Sequence, residues 1–314
     1  MNLWLFLLYF VMRWSDLKKI LIPATSANIG AGFDCLGIAL DLYNIIEFEV
    51  LEQKKLVIEL PENDIGHISS GANNLIYKSI VSTLDILGKK TPGLHLKQIN
   101  NIPQSGGLGS SAACIAGGVA IANEIANSPL DKKDMLKIAT DLESHPDNVA
   151  PAIYGGFVVA CMDQGKVESI KITPPDLKFA AFIPGFSLKT AKARAVLPTE
   201  LSYKDAVFNI SRASLTAAAL ATGNIEALKV SLNDKMHQPF RKKLIPDYDA
   251  VMQIAKDSGC IGSFLSGAGP TIMAVVSQSD SEEFYKKASQ SIKALSNNWQ
   301  LRMLNVDLKG LTIE

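Results

Sequence analysis

The chain has 314 residues, 47% of them apolar, with Lys plus Arg equal to Asp plus Glu at 31 each. That length suits one large or two medium domains around a sizeable core, and the apolar share is that of an ordinary soluble enzyme. Balanced charge leaves no basic excess to hold nucleic acid or an anionic membrane, so any phosphate site must work through local geometry.

Leu3 to Met12 is almost wholly apolar, but a bilayer span takes roughly 18 residues or more. The basic flank and small-residue cleavage site of a signal peptide are also missing. Residues 1–20 are therefore expected to be an extension, with Met12 as the initiator and an interfacial anchor as the alternative. The four cysteines (Cys35, Cys114, Cys161, Cys260) are far apart with no C-x-x-C pair. They read as small buried apolar residues of a reducing, cytoplasmic compartment. The four histidines form no ligand cluster.

Lys18 to Pro23 reads as a first strand running into a polar loop that ends Asn28-Ile-Gly-Ala-Gly-Phe-Asp34. Strand-like runs follow at Ile38 to Val50 and Leu56 to Leu60. Asn73 to Leu87 has helical spacing behind an Asn pair suited to capping, and Leu94 to Ile99 alternates like a strand. That strand feeds Pro103-Gln-Ser-Gly-Gly-Leu-Gly-Ser-Ser-Ala-Ala-Cys114, after which an Ala-rich helix runs to about Ile125. A helix over Asp131 to Glu143 leads to Ser144-His-Pro-Asp-Asn-Val-Ala-Pro-Ala152, a shaped loop opening another helix. Phe157 to Cys161 is a strand, and Thr173-Pro-Pro175 marks a domain boundary.

Beyond the boundary, Phe179 to Ile183 is a strand, and Thr190 to Ala195, Tyr203 to Ala221 and Ile225 to Leu232 read as helices. Pro246 to Ser258 is another, with Pro in its first turn. Cys260 to Val276 reads as strand, Gly-rich bend and strand; Ser281 to Leu295 is helical and Trp299 to Asp307 closes as a strand. Strands and helices mix without strict alternation, which makes the fold class α+β in two domains.

Gly106, Gly107 and Gly109 can let another group approach the loop backbone closely. The helix behind them begins with unpaired N–H groups at the positive end of its dipole. Together these form an anion site suited to nucleotide phosphates, although a Gly-rich turn with a Ser N-cap reads the same residues. No segment carries the Walker A pattern. Gly107-Leu-Gly109-Ser-Ser-Ala112 fits the dinucleotide pattern, but no acidic residue ends a second strand about twenty residues on.

The segment Pro103-x-x-x-Gly107-Leu-Gly109-Ser110-Ser111-Ala112-Ala113 resembles the central motif of the GHMP kinases. Two further segments, Pro23 to Asp34 and Ser263 to Thr271, resemble that family's other motifs. The first of these, together with His145-Pro-Asp-Asn-Val-Ala-Pro-Ala-Ile-Tyr-Gly-Gly, resembles its homoserine kinase branch. The resemblance runs from about Ile22 to Val276. It implies an N-terminal α+β domain with the phosphate loop over residues 21–172 and a C-terminal ferredoxin-like domain over 173–314. Substrate would lie between the two, and the third motif would pack close to the phosphate loop.

The resemblance also implies roles. Pro103, Gln104, Ser105, Gly106, Gly107, Leu108, Gly109, Ser110, Ser111 and Ala112 would hold ATP, and Ser110 and Glu143 would hold Mg²⁺. Asn28, Asp34, His145, Asn148, Thr190, Arg194 and Arg241 would bind the acceptor, L-homoserine. Arginine suits a carboxylate because its planar fork is bidentate. Ser110, Glu143 and Asn148 would be catalytic. An amide takes no proton at neutral pH, so no residue is an obvious general base. The expected partners are homoserine and ATP, with a homodimer as the assembly to test, and neither nucleic acid nor a membrane.

Overall fold

A computed structural model describes residues 17–64 and 67–314. The apolar stretch at Leu3 to Met12, and the initiator expected at Met12, lie outside the described residues. The first sheet contains β1 (Lys18–Ala27), β2 (Leu36–Leu51), β3 (Leu56–Glu59), β4 (Gly93–Ile99), β5 (Phe157–Asp163), β6 (Lys166–Ile172) and β11 (Thr312–Ile313). Its order is β11-β1-β2-β4-β3, with β5 pairing the start of β2 and β6 pairing β5. Four helices pack beside it: α1 (Leu75–Ile86), α2 (Ser110–Ile125), α3 (Lys132–Glu143) and α4 (Pro146–Tyr154). Most of α2 is buried from Ala112 to Asn123, because its small residues let α1, α3, α4 and the sheet enclose it.

β1 begins at Lys18, ahead of the expected domain start at residue 21, and runs further than the strand expected at Lys18 to Pro23. The register shifts at Pro23/Ala24, and pairing with β2 continues to Ala27↔Gly37. Proline cannot donate to the ladder, and the bulge accommodates it. Strand pairing thus overrides the loop-like composition of Ala24 to Ala27. β6 was not anticipated from sequence. Only Val167 among its residues is buried, so the burial signal is faint. Its turn from β5 is Gln164-Gly165, both at positive φ (47° and 78°), as a two-residue type I′ hairpin requires.

The second sheet holds β7 (Leu177–Ile183), β8 (Gly262–Leu265), β9 (Ile272–Ser277) and β10 (Gln300–Asn305) in antiparallel order β10-β7-β9-β8. Numbered within the lobe, that order is 4-1-3-2, the ferredoxin-like arrangement. Between β7 and β8 lie α5 (Thr190–Ala195), α6 (Tyr203–Thr222), α7 (Leu228–Ser231), α8 (Gln238–Arg241) and α9 (Tyr248–Asp257); α10 (Ser281–Ser291) joins β9 to β10. Pro246 lies ahead of α9 and Asp247 is its N-cap, which places the proline outside the first turn expected for it. The chain then returns to the first sheet, where β11 pairs β1 through Ile20↔Ile313.

Alternation along β7 explains how the lobes join. Leu177, Phe179, Ala181 and Ile183 pack into the core of the first sheet and its helices, while Ala180 and Phe182 pack with Val251, Phe284 and Ala288. Period-two geometry puts these sets on opposite faces. The cysteines depart from expectation: Cys35 and Cys161 are exposed, and Cys114 and Cys260 are half-buried. Cys35 sits in the turn before β2, and Cys161 where β5 runs out of the core toward its hairpin.

Candidate active site

The Gly-rich loop ahead of α2 sits between the lobes, tied to the Gly-rich bend between β8 and β9, which is itself tied to β1, and to the segment before α5. Thr271 N–H donates to Gly106 O (3.2 Å), Gly267 N–H to Ala27 O (3.1 Å) and Leu188 N–H to Ser105 O (3.0 Å). Ser266 Oγ–H donates to Gly107 O (2.5 Å) and takes the Ser26 hydroxyl at 2.8 Å. Gly107 has φ +82°, and a Cβ there would stand 2.6 Å from Ser266 O. The close packing of the third motif on this loop is therefore a matter of backbone clearance.

Gly109 (φ +71°) is the N-cap of α2, and no side chain caps the helix; the Ser N-cap reading is thereby corrected, with Ser110 as the first helical residue. Ala113 N–H reaches Gly109 O at 2.9 Å, and the backbone of Ser110 and Ser111, which line the cavity, opens the helix toward it. α4 opens into the same cavity with Asp147 and Asn148 in its first turn, behind His145 at the N-cap. Two positive helix ends thus converge on one space.

That cavity is lined by Asn28, Asp34, Ser105, Gly106, Gly107, Gly109, Ser110, Ser111, Glu143, His145, Asn148, Thr190, Arg194 and Arg241, all anticipated. Pro103, Gln104, Leu108 and Ala112 do not line it; Leu108 and Ala112 are fully buried beneath the loop. Arg194 holds both oxygens of Asp34, at 2.8 and 3.1 Å. Arg241 is 2% exposed. Its Nε donates to Ala193 O (3.2 Å) and its Nη1 to Gly267 O (2.9 Å). Burial and the like charge of Arg194 push this guanidinium down to about 10. No carboxylate of a described residue pairs with it, which leaves a buried cation facing the cavity. Phe33 backs both arginines, 5.5 Å from Arg194 and 5.2 Å from Arg241.

Asn28 (φ +70°) is clamped, its Nδ2 donating to Gly267 O (2.9 Å) and its Oδ1 accepting from Asp34 N–H (3.1 Å). Thr25 Oγ–H donates to Asn148 Oδ1 at 2.8 Å, and Asn148 Nδ2, which donates one N–H to Asp147 Oδ1 at 3.4 Å, keeps its second N–H for a ligand. Glu143 ends α3, and its Oε2 accepts from Ser111 Oγ–H at 3.0 Å. Burial raises its carboxyl above the usual value, and the Ser111 hydrogen bond offsets part of that.

Models of two domains match the chain: GHMP kinases N terminal domain over residues 74–156 and GHMP kinases C terminal over 216–294. A homoserine kinase of Caldicellulosiruptor bescii is 44% identical over 302 residues, covering 94% of this chain and 96% of that protein. One from Clostridium botulinum is 41% identical over 296 residues, covering 94% and 98%. The chain belongs to the GHMP kinase family. Among solved structures, a homoserine kinase from Cytophaga hutchinsonii overlays this GHMP kinase with a TM-score of 0.87 at 29% identity, covering 95% of this chain and 98% of that one.

Sequence reasoning assigned no role to several residues of this kinase's site. Asp147 is 3% exposed and lines the cavity. His145 Nδ1 meets its Oδ1 at 2.8 Å, and Asn148 Nδ2 does so at 3.4 Å. The sequence offered no obvious general base, and the structure places the Asp147 carboxylate beside Asn148. Its signal was present in His145-Pro-Asp-Asn but was passed over as loop chemistry. Thr25 and His237 had no local signal, since each acts only through a partner. His237 is fully buried and kept neutral by burial; its Nε2–H donates to Gly30 O (2.8 Å) and its Nδ1 meets Arg241 Nη1 at 3.4 Å.

The donor set fits Mg²⁺, a hard cation that takes oxygen ligands. Glu143 is a half-buried carboxylate that no salt bridge reaches from a described residue, which leaves it open to a ligand cation. The Ser110 hydroxyl lines the same cavity. The ion held there would neutralise charge on the phosphates. Asp34, His145 and Asp147 also bring ligand-type atoms within 4.8 Å of one another, but Arg194 already occupies Asp34.

Proposed function

We propose that this kinase transfers the γ-phosphoryl group of ATP to the side-chain hydroxyl of L-homoserine, giving O-phospho-L-homoserine in threonine biosynthesis. The observation that carries the reading is the pairing, in one cavity, of a helix-end phosphate loop with the Asp34–Arg194 ion pair and the unpaired Arg241. An α-amino acid carries an ammonium for Asp34 and a carboxylate for the two arginines, whereas a sugar offers no anion to either arginine.

Phosphoryl transfer asks a protein for positioning and charge stabilisation more than covalent chemistry. The N–H groups of Ser110 and Ser111 at the start of α2 cradle the triphosphate, and Glu143 and Ser110 would hold Mg²⁺. Asn148 Nδ2 donates to the acceptor oxygen, aligning a lone pair with the γ-phosphorus, and the hydroxyl proton leaves late to phosphate or solvent. The test is ADP release with MgATP, comparing L-homoserine with L-serine, mevalonate and galactose. Stimulation by homoserine alone is expected. Stimulation by another alcohol instead would overturn the acceptor, and none at all would overturn the kinase reading of the site.

A further inference from the structure

Arg241 meets the cavity from a buried position, and three contacts decide which part of it faces inward. Its Nε donates to Ala193 O (3.2 Å), and its Nη1 donates both to Gly267 O (2.9 Å) and to His237 Nδ1 (3.4 Å). Those bonds use three of the five N–H groups of a guanidinium, and Nη2 has no partner among the described residues. Arg241 lines the cavity, whereas His237 is fully enclosed behind it. The Asp234 carboxylate, its side chain enclosed as well, accepts the backbone N–H groups of Met236 (2.9 Å), His237 (2.9 Å) and Gln238 (2.6 Å). The backbone beneath the imidazole is thereby fixed, and the ring packs 5.4 Å from that of Phe33.

His237 Nε2 lies 2.8 Å from Gly30 O. A carbonyl only accepts, so Nε2 carries the proton and Nδ1 is left bare to accept from Arg241. Gly30 is pressed onto the segment ahead of His237, where a Cβ would stand 2.4 Å from Leu232 O, and its carbonyl is held in place. We propose that His237 is a positioning residue for the acceptor's carboxylate: Gly30 O fixes its tautomer, and its bare Nδ1 turns the Arg241 guanidinium so that Nη2 faces the cavity. This rests on the homoserine reading of the site. Without an acceptor at Nδ1, one N–H of Nη1 loses its partner and the planar fork can rotate away from the carboxylate it is to meet.

Steady-state kinetics of the whole protein with MgATP test this through two amides of different reach. His237→Gln can still donate to Gly30 O but leaves no acceptor in the place of Nδ1, whereas His237→Asn keeps an oxygen there. With His237→Gln, KM for L-homoserine is expected to rise about tenfold or more, as for loss of a hydrogen bond to a charged group. KM for ATP and the inhibition constant of 3-aminopropan-1-ol, which is homoserine without its carboxylate, should stay within about twofold. His237→Asn should recover most of the loss. In an Arg241→Lys background His237→Gln should add less than about twofold, because residues acting through one contact are not additive. An unchanged homoserine KM, an equal change for 3-aminopropan-1-ol, an Asn variant no better than Gln, or full additivity with Arg241→Lys overturns the inference. Any of these beside wild-type turnover of homoserine removes this inference alone; no wild-type turnover of homoserine removes the reading beneath it as well.

Discussion

Arg194 spans 160 positions of sequence to grip both carboxylate oxygens of Asp34, at 2.8 and 3.1 Å. In the free enzyme the two charges satisfy one another, and a zwitterionic acceptor entering between them offers each a new partner. Both side chains are about one-third exposed, so the pair itself adds little to stability and can open at small cost.

Arg194→Lys is therefore expected to raise KM for homoserine by about tenfold or more, because an ammonium cannot reproduce the bidentate fork. KM for ATP should stay within about twofold, since the arginine does not touch the phosphate loop. Steady-state kinetics with each substrate varied checks this. Equal changes in both Michaelis constants would remove Arg194 from the acceptor side.

Glu143→Gln keeps the acceptor that Ser111 Oγ–H uses but removes the charge. Turnover is expected to fall by about 100-fold or more, about 2.7 kcal/mol. Apparent Mg²⁺ affinity should fall with it, as read from a magnesium titration of kcat. Ser111→Ala, which removes one donor to Glu143 and leaves the carboxylate, should cost less. A Glu143→Gln enzyme with wild-type rate and magnesium dependence would sink the assignment.

Gly107→Ala places a methyl group 2.6 Å from Ser266 O in a backbone at φ +82°. The clash falls on backbone that has little room to shift, and the conformation alone costs about 1–3 kcal/mol for a residue with a Cβ. A lower melting temperature and weaker ATP binding are expected together. Gly71→Ala meets nothing within 4 Å and serves as the control.

Burial pulls the His145 imidazole down, but the hydrogen bond and charge of Asp147 outweigh it, and its pKa ends above the usual 6.5. A folded-state value above the unfolded one means the pair stabilises while the imidazole is charged. That stability is whole below about 6.5 and is lost as pH rises through the higher folded value. The melting temperature of wild type minus that of Asp147→Asn should accordingly shrink from about pH 6 to about pH 8.5. The same variant tests the late-proton mechanism. Its kcat should fall by less than about 100-fold, because a general base contributes about 10²–10⁴; a larger loss would make Asp147 the proton acceptor.

Much of the site was legible in residue order because its chemistry is local. Glycines at 106, 107 and 109 ahead of an Ala-rich helix specify a loop whose backbone can face an anion, and backbone freedom is a property of the residue itself. The strands and helices with clear periodicity were readable for the same reason. β6 was not, because a strand exposed on both faces has little hydrophobic pattern, and neither was β11, two residues long.

What sequence alone determined, then, was the inventory: a helix-end phosphate loop, carboxylates and arginines suited to a charged acceptor, and membership of a recognisable motif set. Tertiary structure decided who meets whom. Thr25 holds Asn148 across 123 residues, Ser266 holds Gly107 across 159, and Asp34 spends its charge on Arg194 across 160. Such pairings come from strand register and the packing of one lobe on the other, which no local window of sequence contains. Only the closed fold puts Arg241, buried and without a carboxylate partner among the described residues, at the edge of a space that a ligand can fill.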